Sequence, residues 1–500
     1  MNPYFPNLFR PMKVKNVVFK NRIFMSPTSL KILTDHDYLD YNSFDYFERR
    51  AEGGAAVITV GDVVVHETGA VKWSKKVKIY DDRSEPGLYH MAGKIRSHGA
   101  VASVELNHAG MHFHDDDRIN YGPSDRIDTF DQGDGNGKRT HKITAMPLEV
   151  IEEVVDAYGK AALRAKHCGY QMVTIHAGHG WLLAQFLSPV LNQRTDEFGG
   201  SLENRARISM MVVDRIRKYC GNNFIIEIRL SWKEGLTEGY QLEDTMEYCK
   251  MLEAHGADLL HITAGSLHYP DTTPYTEPSW FDLMEGKNLD AAIEIKKHVK
   301  IPVGTVGAIT DPYKMEEWIS QGLIDYVVCA RALVADPDLP KKAMEGRCED
   351  IRPCMRCIAC LTGGYYDLPL HCAVNPQVGR EFDYKFALLE PVKKKRVLIA
   401  GGGPAGMQCA LTAAKRGHEV ILCEKEDHLG GLLRIIDVEP FKIRLQKYCD
   451  WLIRMVNKSN IEVRLNTEVT PELVDKIRPD KLIAAVQIPS MRRCRELKKP

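Results

Sequence analysis

Eight repeats of one local pattern constrain the fold of this 500-residue chain more than any other feature. From residue 22 to residue 331, each short apolar run is followed by an amphipathic stretch with helical spacing, as at Ile151, Val154 and Tyr158. Strands that alternate with helices form parallel sheets, and eight such units predict an α/β fold of the (β/α)8 TIM-barrel type. The predicted strands are 22–25, 56–60, 101–105, 172–175, 224–229, 259–262, 302–305 and 326–329.

The chemistry of a TIM barrel lies in the loops that follow the carboxyl ends of its strands. The longest of the predicted loops, 112–146, is rich in Asp, Gly and Asn. Two interpretations of this loop are open: a lid or rim over the site, or an excursion without a function.

Four cysteines follow the barrel with the spacing C-x2-C-x2-C-x11-C, and they are Cys354, Cys357, Cys360 and Cys372. A structural zinc site is one interpretation, although such sites usually pair two C-x2-C knuckles and the second knuckle is missing here. Three thiols within seven residues can instead cover one side of a compact inorganic core, and a fourth thiol completes the ligation. The spacing therefore favours an iron–sulfur cluster.

A second pattern, after the cysteines, is typical of a dinucleotide-binding domain. An apolar strand at 396–400 leads into the motif G-x-G-x-x-G of Gly401, Gly403 and Gly406, which opens a helix at 407–416. The next strand, 419–423, ends at Glu424, at the distance that the motif requires. The glycines admit a pyrophosphate to the helix N-terminus and the carboxylate receives the ribose hydroxyls, so this order of elements predicts a dinucleotide site.

Charge and cysteine content exclude several classes of protein. Lys plus Arg and Asp plus Glu both total 67, so nothing favours binding to nucleic acid or to an anionic membrane surface. The first residues lack the basic and apolar segments of a signal peptide, and no apolar run reaches the length of a membrane span. Because the 13 cysteines are odd in number and mostly scattered, we expect a protein of the reducing cytoplasm.

Two histidines indicate a catalytic site at the mouth of the predicted barrel. His176 and His179 lie three residues apart just after the fourth predicted strand, so both imidazoles can face the mouth of the barrel. The alternatives are a metal site, for which no carboxylate ligand stands nearby, or bonds to backbone carbonyls. Paired hydrogen-bond donors at this position can polarise a carbonyl oxygen.

Several motifs resemble those of one enzyme superfamily. They are NRIFMSPTS at 21–29, IHAGHGWLLAQFLSP within 173–205, CARALVADPDLP at 329–340, and the cysteine spacing followed by the glycine motif. Together they resemble the old yellow enzyme superfamily in the order of its motifs, over residues 5–485. More narrowly, the chain resembles the multi-domain branch that contains 2,4-dienoyl-CoA reductase, 2-enoate reductase and trimethylamine dehydrogenase.

The resemblance implies three prosthetic groups: FMN in the barrel, a [4Fe-4S] cluster on the four cysteines, and FAD in the second domain. Electrons are then expected to pass from NAD(P)H through FAD and the cluster to FMN, which reduces a C=C bond conjugated to a carbonyl. The implied FMN residues are Pro27, Thr28, Ser29, Gly61, Glu105, Arg229, Gly307, Ala330 and Arg331, and Gly431 joins the glycines and Glu424 of the second domain.

Some of these residues have roles that the resemblance makes specific. Glu105 takes the place of a glutamine that contacts the flavin pyrimidine ring in most relatives, and Arg229 neutralises charge that grows at flavin N1 and O2. Gly307, Ala330 and Arg331 follow the last two strands, where barrels commonly hold phosphate. An arginine suits a phosphate by its charge, with a surface salt bridge as the alternative.

The chain departs from this pattern at its proton donor. Where many relatives have a tyrosine, two residues after the second of the paired polar positions, this chain has Trp181. An indole N–H can donate a hydrogen bond but is not a usable acid, so the proton must come from another group. The resemblance points to His268, with Tyr269 beside it, after the sixth strand.

The C-terminus is a second departure. Relatives continue through an NAD(P)H domain, whereas this chain ends in QIPSMRRCRELKKP, with five Lys or Arg in its last 11 residues. We expect a truncated or frame-shifted tail, with a short basic tail on an intact minimal enzyme as the alternative. The predicted domains are a barrel at 1–345, a cluster segment and linker at 346–392, a partial FAD domain at 393–486 and the tail at 487–500.

Three functions are consistent with these residues. The first is an ene-reductase that acts on a small unsaturated carbonyl compound, and the histidine pair favours it. The second is an amine dehydrogenase like trimethylamine dehydrogenase, which Glu105 favours. The third is a flavin and cluster protein that only transfers electrons. A homo-oligomer is left open.

Overall fold

The computed structural model describes residues 2–70, 75–113, 118–131, 138–266, 276, 278–279, 281–361, 368–435 and 439–486. The chain divides into two compact units, 1–382 and 383–500, so that the cysteine segment belongs to the same unit as the barrel. The predicted residues His268 and Tyr269 and the predicted tail 487–500 lie outside the described residues.

Strands and helices alternate through both units. The strands are β1 Met12–Val14, β2 Val17–Phe19, β3 Ile23–Thr28, β4 Val57–Val64, β5 Val101–Asn107, β6 Asn120–Gly122, β7 Arg126–Asp131, β8 Lys138–Ala145, β9 Met172–Ala177, β10 Ile225–Ser231, β11 Leu259–Thr263, β12 Val303–Thr305, β13 Tyr326–Cys329, β14 Arg396–Ala400, β15 Glu419–Cys423, β16 Ile461–Arg464 and β17 Lys481–Ala484. The helices are α1 Tyr41–Glu52, α2 Glu85–Ser97, α3 Leu148–His167, α4 Leu182–Leu187, α5 Leu202–Cys220, α6 Leu242–Ala254, α7 Leu289–Lys296, α8 Pro312–Ser320, α9 Arg331–Ala335, α10 Leu339–Met344, α11 Glu381–Ala387, α12 Pro404–Lys415, α13 Ile443–Asn457 and α14 Pro471–Ile477.

Eight parallel strands close into a barrel in the order β3-β4-β5-β9-β10-β11-β12-β13. The predicted TIM barrel is confirmed, and each of its eight predicted strands is present. Several strands extend beyond their predicted ends, because polar residues near the mouth of the barrel interrupt the apolar run but not the backbone ladder. β4, for example, continues to Val64, four residues past the predicted end. Within the described part of the chain, no helix is long and apolar enough to span a bilayer.

Local sequence signals set the ends of the helices that cover the barrel. Before α1, the Asp40 carboxylate accepts from the Ser43 N–H at 3.1 Å, and the Ser43 hydroxyl accepts from the Asp40 N–H at 2.9 Å. This reciprocal pair satisfies N–H groups that a helix start leaves without partners. α5 has Ser201 as its N-cap. Gly221 caps its C-terminus with a φ of +75°, which suits glycine.

The long predicted loop is not structureless. Between β5 and α3, the strands β6, β8 and β7 form a small sheet in which β8 pairs with both neighbours. The sequence of these strands is mostly polar, so it lacks the apolar alternation by which strands are recognised. Backbone pairing therefore determines this sheet more than side-chain burial does.

The second unit has a parallel four-stranded sheet in the order β16-β15-β14-β17. The predicted strands 396–400 and 419–423 are β14 and β15, and α12 connects them. α12 starts at Pro404, three residues earlier than predicted, because proline is well accommodated in the first turn of a helix. This arrangement confirms the α/β dinucleotide-binding fold of the second unit.

A polar network crosses the interior of the barrel below its mouth. Thr174 Oγ1 donates to Glu227 Oε2 at 2.7 Å, and the Tyr326 hydroxyl donates to Glu227 Oε1 at 2.9 Å. Burial raises the pKa of Glu227 to about 7, although these two hydrogen bonds oppose the shift. The folded protein therefore holds the Glu227 proton more tightly than the unfolded chain does.

We expect Glu227→Gln to stabilise the protein at alkaline pH. The contribution of Glu227 to stability is fully present below its unfolded pKa and is lost as pH rises through about 7. The variant has no such loss. Its free energy of unfolding, measured by thermal unfolding, should therefore exceed that of wild type by up to about 3 kcal/mol at pH 8.5, with little difference at pH 5. The exposed Glu247→Gln is the control. An equal shift at both pH values would contradict the titration of Glu227.

Candidate active site

A cavity with about 1270 Å³ of open space lies at the carboxyl end of the barrel. Seven of the nine residues predicted to hold FMN line it: Pro27, Thr28, Ser29, Arg229, Gly307, Ala330 and Arg331. Gly61 lies beside it, where a Cβ atom would meet the Thr28 backbone nitrogen at 2.4 Å. Only glycine therefore permits this approach of β4 to β3. We call this space the mouth cavity.

A buried charge pair lies at the mouth cavity. Arg229 Nη1 donates to Glu105 Oε1 at 2.8 Å, and the Asp62 backbone N–H donates to Glu105 Oε2 at 3.1 Å. Burial raises the pKa of Glu105, and the Arg229 guanidinium opposes that shift. Arg229 Nε is buried and has no hydrogen-bond partner among the described residues, so this N–H is available to a ligand.

The two predicted histidines form a hydrogen bond with each other. His176 Nε2 lies 2.9 Å from His179 Nδ1, and His179 Nε2 lies 2.9 Å from Thr263 Oγ1. Burial lowers the pKa of both imidazoles well below the usual value, and the Arg229 guanidinium lowers it further, so both rings are neutral at pH 7. Only one of the two facing nitrogens therefore carries a proton. The pair offers a single N–H to an oxygen atom, where the sequence predicts two.

The histidine pair continues towards the charge pair. His176 Nδ1 lies 3.5 Å from Glu105 Oε1. Among the described residues this Nδ1 atom has no hydrogen-bond partner. We therefore assign the shared proton to His176 Nε2, which donates to His179 Nδ1 and leaves the proton of the neutral His179 ring on Nε2. His179 has φ +56°, and its backbone N–H donates to Ser231 Oγ at 3.0 Å. This left-handed conformation of a non-glycine residue is typical of functional positions.

Trp181 lies next to the histidines, with its ring centroid 6.0 Å from that of His176. Lys76 Nζ lies 4.5 Å from the centroid of the indole ring and forms an ion pair with Asp62. Asp62 Oδ1 also accepts from Asn107 Nδ2 at 2.9 Å. Although burial disfavours the charged carboxylate, the Lys76 ammonium lowers the pKa of Asp62 below its usual range. The Asp62 carboxylate is therefore ionised at pH 7.

Arg331 gives another part of the mouth cavity a positive charge. Gly307, Ala330 and Arg331 line it, and Arg331 Nη1 is buried without a hydrogen-bond partner in the described part of the chain. Gly307 has φ +149°, and a Cβ atom there would lie 2.9 Å from the Lys287 backbone nitrogen. A guanidinium with a free N–H suits a phosphate group.

The four predicted cysteines lie together. Cys354, Cys357, Cys360 and Cys372 line a cavity of about 290 Å³, and Cys354 and Cys360 also line the mouth cavity. Between the first three, Arg356 and Ile358 have φ +53° and +64°, conformations that change the direction of the chain. Burial and the Cys354 thiol raise the pKa of Cys360 to about 12, whereas Arg331 opposes the shift.

The spacing of these thiols bears on the metal. In the described residues, no three His, Cys, Asp or Glu side chains converge as a single metal ion requires. A zinc ion needs sulfur ligands at about 2.3 Å from one point. The four thiols instead line one shared pocket. The donor set and its spacing fit an iron–sulfur cluster better than zinc.

The glycine motif of the second unit lies between β14 and α12. A Cβ atom at Gly406 would lie 1.9 Å from the Gly401 carbonyl oxygen, whereas one at Gly403 would meet no atom within 4 Å. The third glycine thus permits close packing, and the second leaves open space at the N-terminus of a 12-residue helix. This geometry suits a pyrophosphate.

Glu424 lies against the same glycine loop. Its Oε2 atom accepts from the Gly402 N–H at 2.6 Å, and its Oε1 atom accepts from the Glu426 N–H at 3.1 Å. Gly431 is nearby, since a Cβ atom on it would lie 3.1 Å from Gly403 Cα. The structure therefore brings together all the residues of the second unit that the sequence assigns to a dinucleotide.

Comparison with known proteins decides the family. Residues 7–350 match the NADH:flavin oxidoreductase / NADH oxidase family, and residues 396–491 match the FAD dependent oxidoreductases. The chain belongs to the NADH:flavin oxidoreductase / NADH oxidase family. It is a flavin-dependent oxidoreductase, as the resemblance to old yellow enzyme predicted.

Individual relatives of the chain support this family assignment. An NADH oxidase of Thermoanaerobacter brockii is 37% identical over 489 residues, which cover 96% of this chain and 73% of the relative. A cinnamate reductase of Clostridium sporogenes is 31% identical, over 97% of this chain and 74% of the relative. The structure of a 2-naphthoyl-CoA reductase bound to 2-naphthoyl-CoA has a TM-score of 0.88 and 30% identity, over 97% of this chain and 75% of the other.

The mouth cavity of the NADH:flavin oxidoreductase fits a flavin mononucleotide. Arg229 and Arg331 line it, and each has a buried N–H group with no hydrogen-bond partner among the residues that the structure describes. Such atoms are costly unless a ligand accepts from them. The flavin ring and its phosphate supply acceptors of this kind, so the donor set fits the group.

Two members of the site escaped the sequence prediction. Asp62 directly follows Gly61, and a polar residue near the end of a buried strand is a signal that could have identified it. Lys76 has no such signal, because it belongs to a run of lysines that resembles a solvated surface. Its burial follows from its partners alone.

Proposed function

We propose that this flavin oxidoreductase reduces a C=C bond conjugated to a carbonyl. The proposal places FMN in the mouth cavity, a [4Fe-4S] cluster on the four cysteines and FAD at the glycine motif, with NAD(P)H as electron donor. The observation that carries it is the neutral pair of His176 and His179 beside that cavity. A neutral N–H donor binds a carbonyl oxygen without protonating it in the ground state and stabilises the negative charge that develops there.

Each group of residues has a separate task in this proposal. Arg331 would hold the flavin phosphate, and Arg229 would compensate negative charge on the reduced flavin ring. Reduced FMN supplies a hydride when it is bound. His179 would donate its Nε2–H to the substrate carbonyl in place of Thr263 Oγ1, while the hydrogen bond between His176 and His179 Nδ1 holds the imidazole in place. These contacts would hold the substrate C=C bond close to the flavin.

Amine oxidation, the second function that the sequence leaves open, fits the site less well. Its support was Glu105, a glutamate that by resemblance trimethylamine dehydrogenase shares where most relatives have glutamine. In this structure Glu105 is paired with Arg229 at 2.8 Å, so its carboxylate is not free to bind a cation. The face of Trp181 that could hold an alkylammonium ion has Lys76 Nζ at 4.5 Å. A cationic substrate would meet a like charge there, so the charges favour the reductive function.

Substrate reduction tests the proposal directly. The anaerobic, flavin-loaded protein is reduced with a viologen and mixed with an enone, an unsaturated carboxylate and an enoyl thioester, and flavin reoxidation is followed. We expect at least one of these compounds to reoxidise the flavin, and His179→Ala to slow that reaction by about 10²- to 10³-fold because the oxygen loses its donor.

The matched control is His255→Ala, whose imidazole is 40% exposed and bonded to Asp214. It should leave the rate unchanged. A flavin-loaded protein that no acceptor reoxidises would refute the proposal. Reduction of the oxidised flavin by trimethylamine alone would favour the amine dehydrogenase.

A further inference from the structure

The site lacks an evident acid. Reduction of a C=C bond needs a hydride on one carbon and a proton on the other. Trp181 holds the position where many relatives have a tyrosine, and its indole N–H is not a usable acid. His176 and His179 are neutral, because burial lowers their pKa well below the usual value. The proton must therefore come from another group close to Trp181.

A candidate in the described structure is an ammonium group that lies over the Trp181 ring. Lys76 Nζ lies 4.5 Å from the centre of the Trp181 ring, and the Lys76 side chain is only 7% exposed. The same indole ring lies next to His176, with 6.0 Å between the ring centroids, so Lys76 and His176 are both neighbours of Trp181. Lys76 is remote from residue 181 in sequence but lies next to it in space. It can therefore take the place of the acid that Trp181 does not provide.

The backbone is built to hold this cation. The ladder between β4 and β5 shifts register between Val60 and Val63, and Asp62, within this irregularity, has φ +61°. A bulge of this kind redirects a side chain, and a left-handed aspartate is an unfavourable conformation that functional sites retain. Asp62 forms the ion pair with Lys76, and this pair holds the amine in a buried position beside Trp181.

We propose that Lys76 is the acid that protonates the substrate carbon, an inference that rests on the proposed ene-reductase function. A hydride, which a bound reduced flavin would supply as the reductant, adds to the β-carbon, and the π electrons of the C=C bond move to the α-carbon. A new C–H bond forms at the α-carbon with a proton from Lys76 Nζ, whose N–H bond breaks. The neutral amine left beside Asp62 then takes a proton from solvent.

Substitution of Lys76 by arginine or by methionine distinguishes a role of this residue as an acid from a role as a positive charge. Lys76→Arg retains a cation that can pair with Asp62 but does not release a proton at neutral pH, whereas Lys76→Met removes both properties. If Lys76→Met binds less flavin, the double variant Asp62→Asn/Lys76→Met removes the unpaired carboxylate. Lys78→Met is the matched control, because Lys78 forms a partly exposed pair with Asp37 at 2.8 Å.

Two acceptors separate hydride transfer from protonation. With an enone, we expect Lys76→Arg and Lys76→Met to slow flavin reoxidation by about 10²- to 10⁴-fold. With a nitroalkene, whose hydride adduct is a stable nitronate, both variants should reoxidise the flavin as wild type does but release the nitronate, detected by its absorbance. The dissociation constant of a phenol ligand, from the flavin absorbance change, should not change, because the histidine pair is intact.

Several results would overturn this assignment. An enone rate that Lys76→Arg retains would show that Lys76 supplies only charge. Loss of the nitroalkene reaction as well would place Lys76 in hydride transfer or binding. Normal enone reduction by Lys76→Met, with loss in His268→Gln, would transfer the role to His268. If the wild-type flavin reacts with neither acceptor, the proposed function itself fails, and this proposal with it.

Discussion

Replacement of Cys360 by serine is expected to remove iron from the protein and to prevent reduction of the barrel flavin by NADH. Cys360 lines both the cysteine cavity and the mouth cavity, so its thiolate would be a ligand on the side of the cluster that faces the flavin. Serine oxygen is a poor substitute for a soft thiolate ligand. Iron content should fall from four atoms per chain towards zero, and the cluster signal in electron paramagnetic resonance should be lost.

The flavin itself should survive this change. Arg229 and Arg331, the proposed flavin contacts, are unaltered in Cys360→Ser, so dithionite should still reduce the flavin and an enone should still reoxidise it. Cys348→Ser is the matched control, because Cys348 lies six residues before the first cluster cysteine and is not among the residues lining either cavity. A Cys360→Ser protein with its full iron content, or a wild-type protein that contains zinc, would contradict the cluster assignment.

Replacement of Arg229 by methionine should affect both stability and flavin chemistry. Arg229 Nη1 lies 2.8 Å from Glu105 Oε1, and Glu105 is buried. Loss of the guanidinium leaves an uncompensated buried carboxylate, at a cost of about 3–5 kcal/mol. We expect a lower unfolding temperature, weaker flavin binding and a more negative flavin midpoint potential, because the positive charge near the reduced ring is gone.

A double variant separates the two effects. Arg229→Met/Glu105→Gln has no unpaired charge, so its unfolding temperature should return most of the way to that of wild type. Its flavin potential should remain low, because glutamine supplies no positive charge. Arg347→Met is the control for an exposed pair, worth about 0–1 kcal/mol. If the double variant regains the wild-type potential, Arg229 does not act by its charge.

The parts of the protein that the sequence predicts are those carried by local patterns. The barrel strands, the cysteine spacing and the order of strand, glycines, helix and acid in the second unit each occupy a short run of residues. The small sheet β6-β8-β7 was missed because its strands lack an apolar alternation. Lys76 was missed because a buried lysine has the same one-dimensional context as an exposed one.

Contacts between residues on different barrel strands do not follow from local patterns. Glu105 lies on β5 and Arg229 on β10. Only β9 separates these two strands in the barrel, so the two side chains meet at 2.8 Å. The sequence identified both residues, through resemblance, but not the ion pair between them. It also assigned two donors to His176 and His179, whereas the structure bonds the rings to each other and leaves one.

By itself, then, the sequence determined the fold class, the spacing of the four cysteines and the glycine motif, because periodicity and spacing act within one segment of chain. Tertiary structure alone decided that Cys354 and Cys360 line the mouth cavity and that Lys76 covers Trp181. These contacts join residues far apart in sequence, and barrel closure brings them together. The physical reason is burial: away from water, each charge or polar group needs a partner, and the fold determines which one is within reach.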